Sequence, residues 1–219
     1  MLPLYDLERR RVDVAPLLGW AHDEVGGPLD ELADAVIARA LSARLTKLTR
    51  TAAVRALLHD IVRAALGGDA PPSLVVQAEA HVRVIVPGDV ELRMPFHTDA
   101  LLGHALDERN LWLPLTPVHG TGRLRALALT RSRALTAPRG EEDRDLWLDA
   151  MLAQAGEEPA AIDVDVGEVL LFTPEHVHGA SVNESGRARV SLDVRVAPAA
   201  RTGWQARAGA RFVPLGVGA

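Results

Sequence analysis

The chain has 219 residues, 48% of them hydrophobic, and a formal net charge of −5 at pH 7. The length suits one domain with a substantial core, so we expect a single domain over residues 1–219. The negative charge argues against nucleic-acid binding, no apolar window nears the roughly 20 residues that span a bilayer, and the absence of cysteine excludes disulfides and thiolate ligands.

Helices are predicted in the first third of the chain. Apolar residues at helical spacing run through residues 29–66, and Pro28 suits a first helical turn. The glycine- and proline-rich residues 67–73 end the pattern. We therefore expect a helical buttress over about residues 28–67. The N-terminus lacks the pattern of a secretory signal, which favours a cytoplasmic location.

Short strands are predicted after Pro72, where the apolar period changes to two. An acidic helix over residues 141–155 interrupts the series. Helices followed by many strands predict a mainly β jelly roll with N-terminal helices and a β core over about residues 73–197. The expected strands lie at residues 73–92, broken by a turn at Pro87-Gly88-Asp89, and at 110–118, 122–130, 161–166, 167–172 and 188–196.

His97 and Asp99 are candidate metal ligands. Alternation of side chains along an extended segment sends both to the same side. Downstream, His176 and His178 are two candidates for a third ligand. Two histidines and one carboxylate form the facial triad of non-haem iron(II) oxygenases, which leaves coordination positions open.

Arg189 and Ser191 form a candidate anion site. In residues 188–196 the apolar side chains alternate with polar ones, so both project from the polar face. An arginine can bind a carboxylate through two parallel hydrogen bonds, and a neighbouring hydroxyl can add a third.

These motifs together resemble a known family. His97-X-Asp99, His178-Gly179 and Arg189-X-Ser191, spread over roughly residues 75–197, are similar to the iron(II)/2-oxoglutarate-dependent dioxygenases of the phytanoyl-CoA hydroxylase-like branch. Residues 97–116 resemble a subgroup associated with antibiotic and sugar biosynthesis. The resemblance favours His178 over His176, because Gly179 follows it.

The resemblance implies a double-stranded β-helix of the cupin-like type. It further implies that His97, Asp99 and His178 bind Fe(II), and that Arg189 and Ser191 hold the cosubstrate 2-oxoglutarate. Asn110 and Trp112 are expected on one side of their strand, where Asn110 contacts 2-oxoglutarate or substrate. The implied activity is oxidation by dioxygen of a polar small molecule, such as a natural-product, amino-sugar or aminocyclitol intermediate, by hydroxylation, cyclisation or desaturation.

Several residues have alternative interpretations. His104 is either a pocket residue or a hydrogen-bonded structural histidine, and Arg83 is either solvated or part of the site. Acidic residues around the His-X-Asp motif favour a cationic substrate: Asp89, Glu91, Asp107, Glu108 and the segment 140–145. The alternative function is a cupin-like metal-binding isomerase or sensor that does not turn over 2-oxoglutarate. The sequence does not predict an oligomeric state.

Overall fold

The computed structural model describes residues 6–67, 73–137, 148–199 and 212–215. Within these ranges the chain forms α-helices and mostly short strands. The helices are α1 (Ala15–Val25), α2 (Ala35–Leu48), α3 (Ala52–Leu66), α4 (Leu129–Thr136) and α5 (Leu148–Ala155). The strands are β1 (Glu8–Arg11), β2 (Leu74–Gln77), β3 (His81–Ile85), β4 (Arg109–Pro114), β5 (Arg125–Ala126), β6 (Ala160–Ala161), β7 (Glu168–Phe172), β8 (His178–Gly179), β9 (Arg189–Pro198) and β10 (Phe212–Pro214).

The strands form a large and a small antiparallel sheet. The large sheet has the order β1-β7-β4-β9-β2-β10, and β3 also pairs with β9. The small sheet has the order β6-β5-β8. Trp112, Leu170 and Phe172 of the large sheet pack against Leu124 and Val164 between the two sheets. This arrangement is the predicted jelly roll.

The side chains of the ten-residue strand β9 alternate between the two faces of the large sheet. Val190, Leu192, Val194 and Val196 face the main hydrophobic core, which contains residues of α1, α2 and α3. The intervening side chains, among them Arg189, face the other sheet. The alternation of the sequence therefore places a polar row on the inner face of the jelly roll.

Helix α2 closes the free side of β3 with hydroxyl groups. The main-chain N–H groups of Val82 and Val84 donate to Thr46 Oγ1 and Ser42 Oγ, each at 2.9 Å. The N–H of Ala80 donates to Thr49 Oγ1 at 3.0 Å. These bonds satisfy strand groups that would otherwise lack partners, so the helical buttress also covers a sheet edge.

The strand predicted over residues 122–130 is wrong in its second half. Only Arg125–Ala126 forms a strand, and Leu129–Thr136 is helical. Leu129, Ser132 and Leu135 are buried at a spacing of three, which is a helical and not a strand pattern. The strand predicted at residues 161–166 is likewise reduced to Ala160–Ala161.

The other helices and strands either confirm the prediction or add elements that were not predicted. The helical region 29–66 is confirmed, although it is divided into a 3-10 turn (Leu29–Glu31), α2 and α3. Helix α5 confirms the C-terminal part of the helix expected at residues 141–155, whose earlier part lies outside the described residues. α1, β1 and β10 were not predicted. No described helix is both long and apolar enough to cross a membrane.

Candidate metal centre and adjoining pocket

His97, Asp99 and His178 lie together on the inner side of the jelly roll. One possible ligand atom from each residue lies within 4.8 Å of the others. Asp99 Oδ1 is 3.9 Å from His97 Nε2, and the two imidazole ring centroids are 4.3 Å apart. The structure thus assembles the three residues that the sequence singled out into a group with the donor set of a facial triad.

Main-chain pairing brings the two histidines together although they are distant in the sequence. The N–H of His97 donates to the carbonyl of His178 at 3.0 Å, and the N–H of His178 donates to the carbonyl of His97 at 2.9 Å. Strand β8, which contains His178, also pairs with β5. The position of each imidazole is therefore set by strand pairing, which is more rigid than a loop contact.

Each of these imidazoles has one nitrogen engaged by the main chain. The Nδ1–H of His97 donates to the carbonyl of Pro95 at 2.8 Å, and that of His178 donates to the carbonyl of His176 at 2.9 Å. Both bonds leave Nε2 unprotonated in the neutral ring. This is the arrangement in which histidines bind metals, with the second nitrogen hydrogen-bonded to fix the tautomer.

Close packing around Gly179 explains why the His-Gly motif has a glycine at this position. A β-carbon at this position would lie 2.8 Å from Phe96 Cδ1, 2.9 Å from Phe96 Cα and 3.0 Å from the Met94 carbonyl oxygen. Two of these atoms belong to the main chain and cannot turn away. Only glycine permits the segment that leads into His97 to approach the strand of His178 this closely.

The Asp99 carboxylate is buried and accepts a hydrogen bond at each oxygen. Arg195 Nη2 donates to Oδ1 at 2.8 Å, and Asn110 Nδ2 donates to Oδ2 at 2.5 Å. Burial opposes ionisation, but the charge and hydrogen bond of Arg195 and the neighbouring His178 and His97 together outweigh it, so the pKa of Asp99 lies well below its usual range. Asp99 is therefore an anion at neutral pH, as metal binding requires.

His178 is neutral at neutral pH. Burial, and then the neighbouring His97, lower its pKa to about 4, against an opposing effect of Asp99. Phe172 packs edge-on against the His178 ring, with 4.9 Å between ring centroids. An apolar neighbour thus keeps the imidazole in the uncharged form that binds metals.

A pocket adjoins these three residues. Its atom-free space is about 430 Å³, and its apolar wall includes Met94, Trp112, Leu124 and Phe172. Three arginines, Arg83, Arg189 and Arg195, supply positive charge, and Asp99 and Asp193 supply the carboxylates. Asn110 and Trp112 both line the pocket, which confirms that they share one side of β4.

Arg189 lies buried in this pocket with unused hydrogen-bonding capacity. Its Nη1 donates to the Gly122 carbonyl at 3.2 Å, and its guanidinium carbon is 6.0 Å from the Trp112 ring centroid. Burial, and then the charge of Arg83, lower the pKa of Arg189 to about 10, so it stays charged at neutral pH. Five buried atoms on this face lack a hydrogen-bond partner among the described residues: Asn110 Oδ1, Arg189 Nε, Ser191 Oγ, Asp193 Oδ1 and Arg195 Nε.

His176 and His104 lie outside the pocket lining. His176 is fully buried; its Nδ1 is 3.0 Å from the Thr173 hydroxyl and its Nε2 is 3.1 Å from Asp6 Oδ1. His104 Nδ1 is 2.9 Å from Glu108 Oε2. Both rings therefore have partners that suit structural histidines. Arg83, in contrast, does line the pocket.

The acidic residues around the motif do not line the pocket. Asp89 and Glu91 lie 3.5 Å and 2.7 Å from the Arg39 guanidinium, and Glu108 is buried against His104. The segment 140–145 lies outside the described residues. The described pocket lining therefore contains none of the acidic residues whose presence in the sequence favours a cationic substrate.

Sequence reasoning missed two supports of the site. Arg195 lies on the polar face predicted for residues 188–196, but the sequence does not show which carboxylate it meets. The hydroxyl of Ser132 accepts a hydrogen bond from the Val177 N–H at 2.9 Å, next to His178. The spacing of three between Leu129, Ser132 and Leu135 was the available signal.

Comparison with known proteins finds similarity in sequence to one curated protein and in fold to solved structures. No family model matches the chain. The chain is 28% identical over 145 residues to the streptomycin biosynthesis protein StrG of Streptomyces griseus, a match that covers 66% of this chain and 54% of StrG. The chain therefore spans about half the length of this curated relative.

Solved structures share the fold. AviO1 from Streptomyces viridochromogenes Tue57 superposes with a TM-score of 0.50 at 20% identity, over 70% of this chain and 65% of AviO1. HygX from Streptomyces hygroscopicus, with nickel, 2-oxoglutarate and hygromycin B bound, gives a TM-score of 0.52 at 15% identity, over 91% and 86%. Apo ThoJ, a non-haem monooxygenase, gives 0.53 at 15% identity, over 89% and 73%.

These comparisons confirm the predicted cupin-like jelly roll. The His-X-Asp motif and the distant histidine form the triad that the family resemblance implied. In fold, the chain resembles ThoJ, a non-haem monooxygenase, and HygX, which was solved with nickel and 2-oxoglutarate bound.

Proposed function

We propose that this protein is an iron(II)- and 2-oxoglutarate-dependent oxygenase that oxidises a polar small molecule with dioxygen. One observation carries the proposal. A triad of metal-binding type and a buried arginine with an unpartnered Nε face the same pocket. A metal ion alone would account for the triad but not for the arginine.

The triad fits a metal ion of the iron(II) type. Its donors are two imidazoles and one ionised carboxylate, which suit a divalent first-row metal. Three ligands leave positions open, whereas a structural zinc site is closed by four. His97, Asp99 and His178 would hold the metal, and the hydrogen bonds to Pro95 and His176 would orient the imidazoles.

Arg189 and Ser191 fit the far carboxylate of 2-oxoglutarate. An unsatisfied buried donor costs about 1–3 kcal/mol, and a carboxylate would satisfy both Arg189 Nε and the Ser191 hydroxyl. The two side chains project from the same face of β9, as the sequence pattern predicts. HygX, which shares this fold, was solved with 2-oxoglutarate bound.

The bound metal and 2-oxoglutarate would supply the dioxygen chemistry that oxidises a C–H bond of the substrate. The protein's own part is to bind and orient. Trp112, Leu124 and Phe172 exclude water from one side of the pocket, and Asn110 Oδ1 remains available to accept a hydrogen bond. These groups would hold a substrate against the triad.

The proposed substrate is a natural-product, amino-sugar or aminocyclitol intermediate. Similarity to StrG, a streptomycin biosynthesis protein, and the hygromycin B bound in HygX support this class. Charged and amide side chains in the pocket lining, such as Asn110 and Asp193, can hydrogen-bond to a polar molecule. Hydroxylation, cyclisation and desaturation would use the same site.

Binding of two 2-oxo acids to the nickel-loaded protein tests the proposal. 2-Oxobutyrate has the metal-chelating end of 2-oxoglutarate but lacks the far carboxylate. We expect calorimetry to show clearly tighter binding of 2-oxoglutarate, because only that ligand reaches Arg189. Equal affinity for both acids, or binding of neither, would favour the alternative of a metal-binding isomerase or sensor.

A further inference from the structure

The carboxylate of Asp99 is held from two directions by one cross-strand pair. Asn110 on β4 and Arg195 on β9 are direct partners in the strand register. Their side chains reach different oxygens of Asp99, at 2.5 Å and 2.8 Å. Rotation of the carboxylate would break both hydrogen bonds, so its plane is set by the large sheet.

Arg195 is itself held by its neighbours. Asp193 Oδ1 lies 3.8 Å from Arg195 Nη1, and Asp193 Oδ2 accepts a hydrogen bond from Arg83 Nε at 3.3 Å. The side chains of Arg83, Asp193, Arg195 and Asp99 thus form a row of alternating charge. The Asp99 side chain is 1% exposed and that of Arg195 10%, so water screens their attraction little.

We infer that Arg195 and Asn110 are positioning residues that fix Asp99 in its metal-binding orientation, with Asp193 keeping Arg195 in place. The inference rests on the proposed metal role of His97, Asp99 and His178. It assigns to Arg195 a role distinct from that of Arg189: Arg195 serves the metal ligand, whereas Arg189 serves the cosubstrate.

The physical reason is pre-organisation. A freely rotating carboxylate must be ordered when a metal binds, whereas the hydrogen bonds from Asn110 and Arg195 already fix the orientation of Asp99. Loss of groups that orient metal ligands typically weakens metal binding by about 10- to 100-fold. A purely structural ion pair would instead affect folding stability and leave the metal affinity of the folded protein unchanged.

Cobalt(II) titration of the metal-free protein separates the two roles. We expect Arg195→Met to weaken cobalt binding by about 10- to 100-fold and to alter the visible absorption of the bound cobalt. Arg125→Met is the matched control. Arg125 lies on β5, the strand that pairs with the strand of His178, and it forms an ion pair with Glu158 but no hydrogen bond to His97, Asp99 or His178. We expect this control to bind cobalt like the unmodified protein.

Two further variants cover a failure of Arg195→Met to fold. Arg195→Lys keeps the charge but not the planar donor group, so its cobalt affinity should lie between that of the unmodified protein and that of Arg195→Met. Asn110→Leu removes the other donor while keeping the branched shape and the number of heavy atoms of the side chain, and it should also weaken cobalt binding. If folded Arg195→Lys and Asn110→Leu proteins bind cobalt like the unmodified protein, with the same absorption, the inference is overturned. If the unmodified protein binds no cobalt, the proposed metal site itself is wrong.

Discussion

The Nδ1 atom of His178 lies 2.9 Å from the main-chain carbonyl oxygen of His176. This hydrogen bond separates the roles of two histidines that the sequence places two residues apart. His178 directs Nε2 toward His97 and Asp99, while the His176 ring contacts Thr173 and Asp6 away from the pocket. His176 thus contributes to the site through its main chain.

We expect His178→Ala to lose metal binding and His176→Ala to retain it. The first change removes one of three protein ligands, whereas the second leaves the carbonyl that orients His178. His176→Ala should lower the free energy of unfolding by about 1–3 kcal/mol, because buried partners lose their hydrogen bonds. Calorimetric metal titration and urea unfolding of both variants measure the two effects. Metal binding by His178→Ala together with its loss in His176→Ala would reverse the assignment.

Gly179→Ala should disturb the site without removing a ligand. The added methyl group would lie within 3.0 Å of main-chain atoms of Phe96 and Met94, so the segment before His97 must move. Overpacking of this kind typically costs about 1–3 kcal/mol. We expect a lower melting temperature and weaker metal binding. Gly186→Ala is a comparison at a glycine where an added methyl group would meet no atom within 4 Å, although its positive φ of 76° adds backbone strain.

A metal affinity in Gly179→Ala equal to that of the unmodified protein would show that the close approach is not needed for the triad. A loss of stability with full metal affinity would assign the glycine to folding alone.

His97 and Asp99 could be predicted as candidate metal ligands because spacing and residue type suffice for them, whereas the choice of His178 over His176 relied on the family resemblance. His97 and Asp99 share a side of an extended segment whatever the rest of the chain does, and the polar face of β9 follows from strict alternation. Arg195 could not be assigned in the same way. Its partner is Asp99, nearly one hundred residues earlier, and only the register of β4 against β9 brings them together.

Arg189→Ala should weaken 2-oxoglutarate binding strongly and leave metal binding nearly unchanged. Removing one partner of a buried charge pair costs about 2–5 kcal/mol. Arg189→Lys should recover only part of the affinity, because an ammonium group cannot form two parallel hydrogen bonds to a carboxylate. Titration of the nickel-loaded variants with 2-oxoglutarate gives both values. Undiminished binding in Arg189→Ala would transfer the role to another pocket arginine, with Arg83 the next candidate.

The stability of the metal-free protein should fall between pH 6.5 and pH 4 in a way that depends on His178. Burial lowers the pKa of this residue from its ordinary 6.5 to about 4. Between these values the unfolded chain binds more protons than the folded one, so stability is fully present above pH 6.5 and is lost as the pH falls through 4. The full effect is about 3 kcal/mol.

Urea unfolding at several pH values, compared between the unmodified protein and His178→Gln, isolates this contribution. The variant should show a flatter dependence on pH in this window, while His59 and His81 contribute equally to both proteins. Asp99 acts in the same direction but only below about pH 4, since its ordinary pKa is 3.8. Identical pH dependence in both proteins would mean that His178 is not kept neutral by the fold.

The fold was predictable where a pattern was long. Strand β9 and the helical region from 29 to 66 follow from sustained periods of two and 3.6 residues. The strand predicted over residues 122–130 was wrong in its second half because so short a segment fits both a period of two and a period of 3.6. Burial of Leu129, Ser132 and Leu135 shows that the helical period applies. Strand β1 carries consecutive arginines, and its pairing with β7 gives no apolar signal.

The most direct measurement is the conversion of 2-oxoglutarate to succinate by the iron(II)-loaded protein in the presence of dioxygen. Mass spectrometry would follow succinate, with candidate amino sugars and aminocyclitols added in turn and Asp99→Ala as the inactive reference. We predict iron- and dioxygen-dependent succinate formation that increases with the correct substrate and is absent from Asp99→Ala. No succinate from an iron-loaded, folded protein that binds 2-oxoglutarate, with any of these substrates, would contradict the proposed oxygenase function.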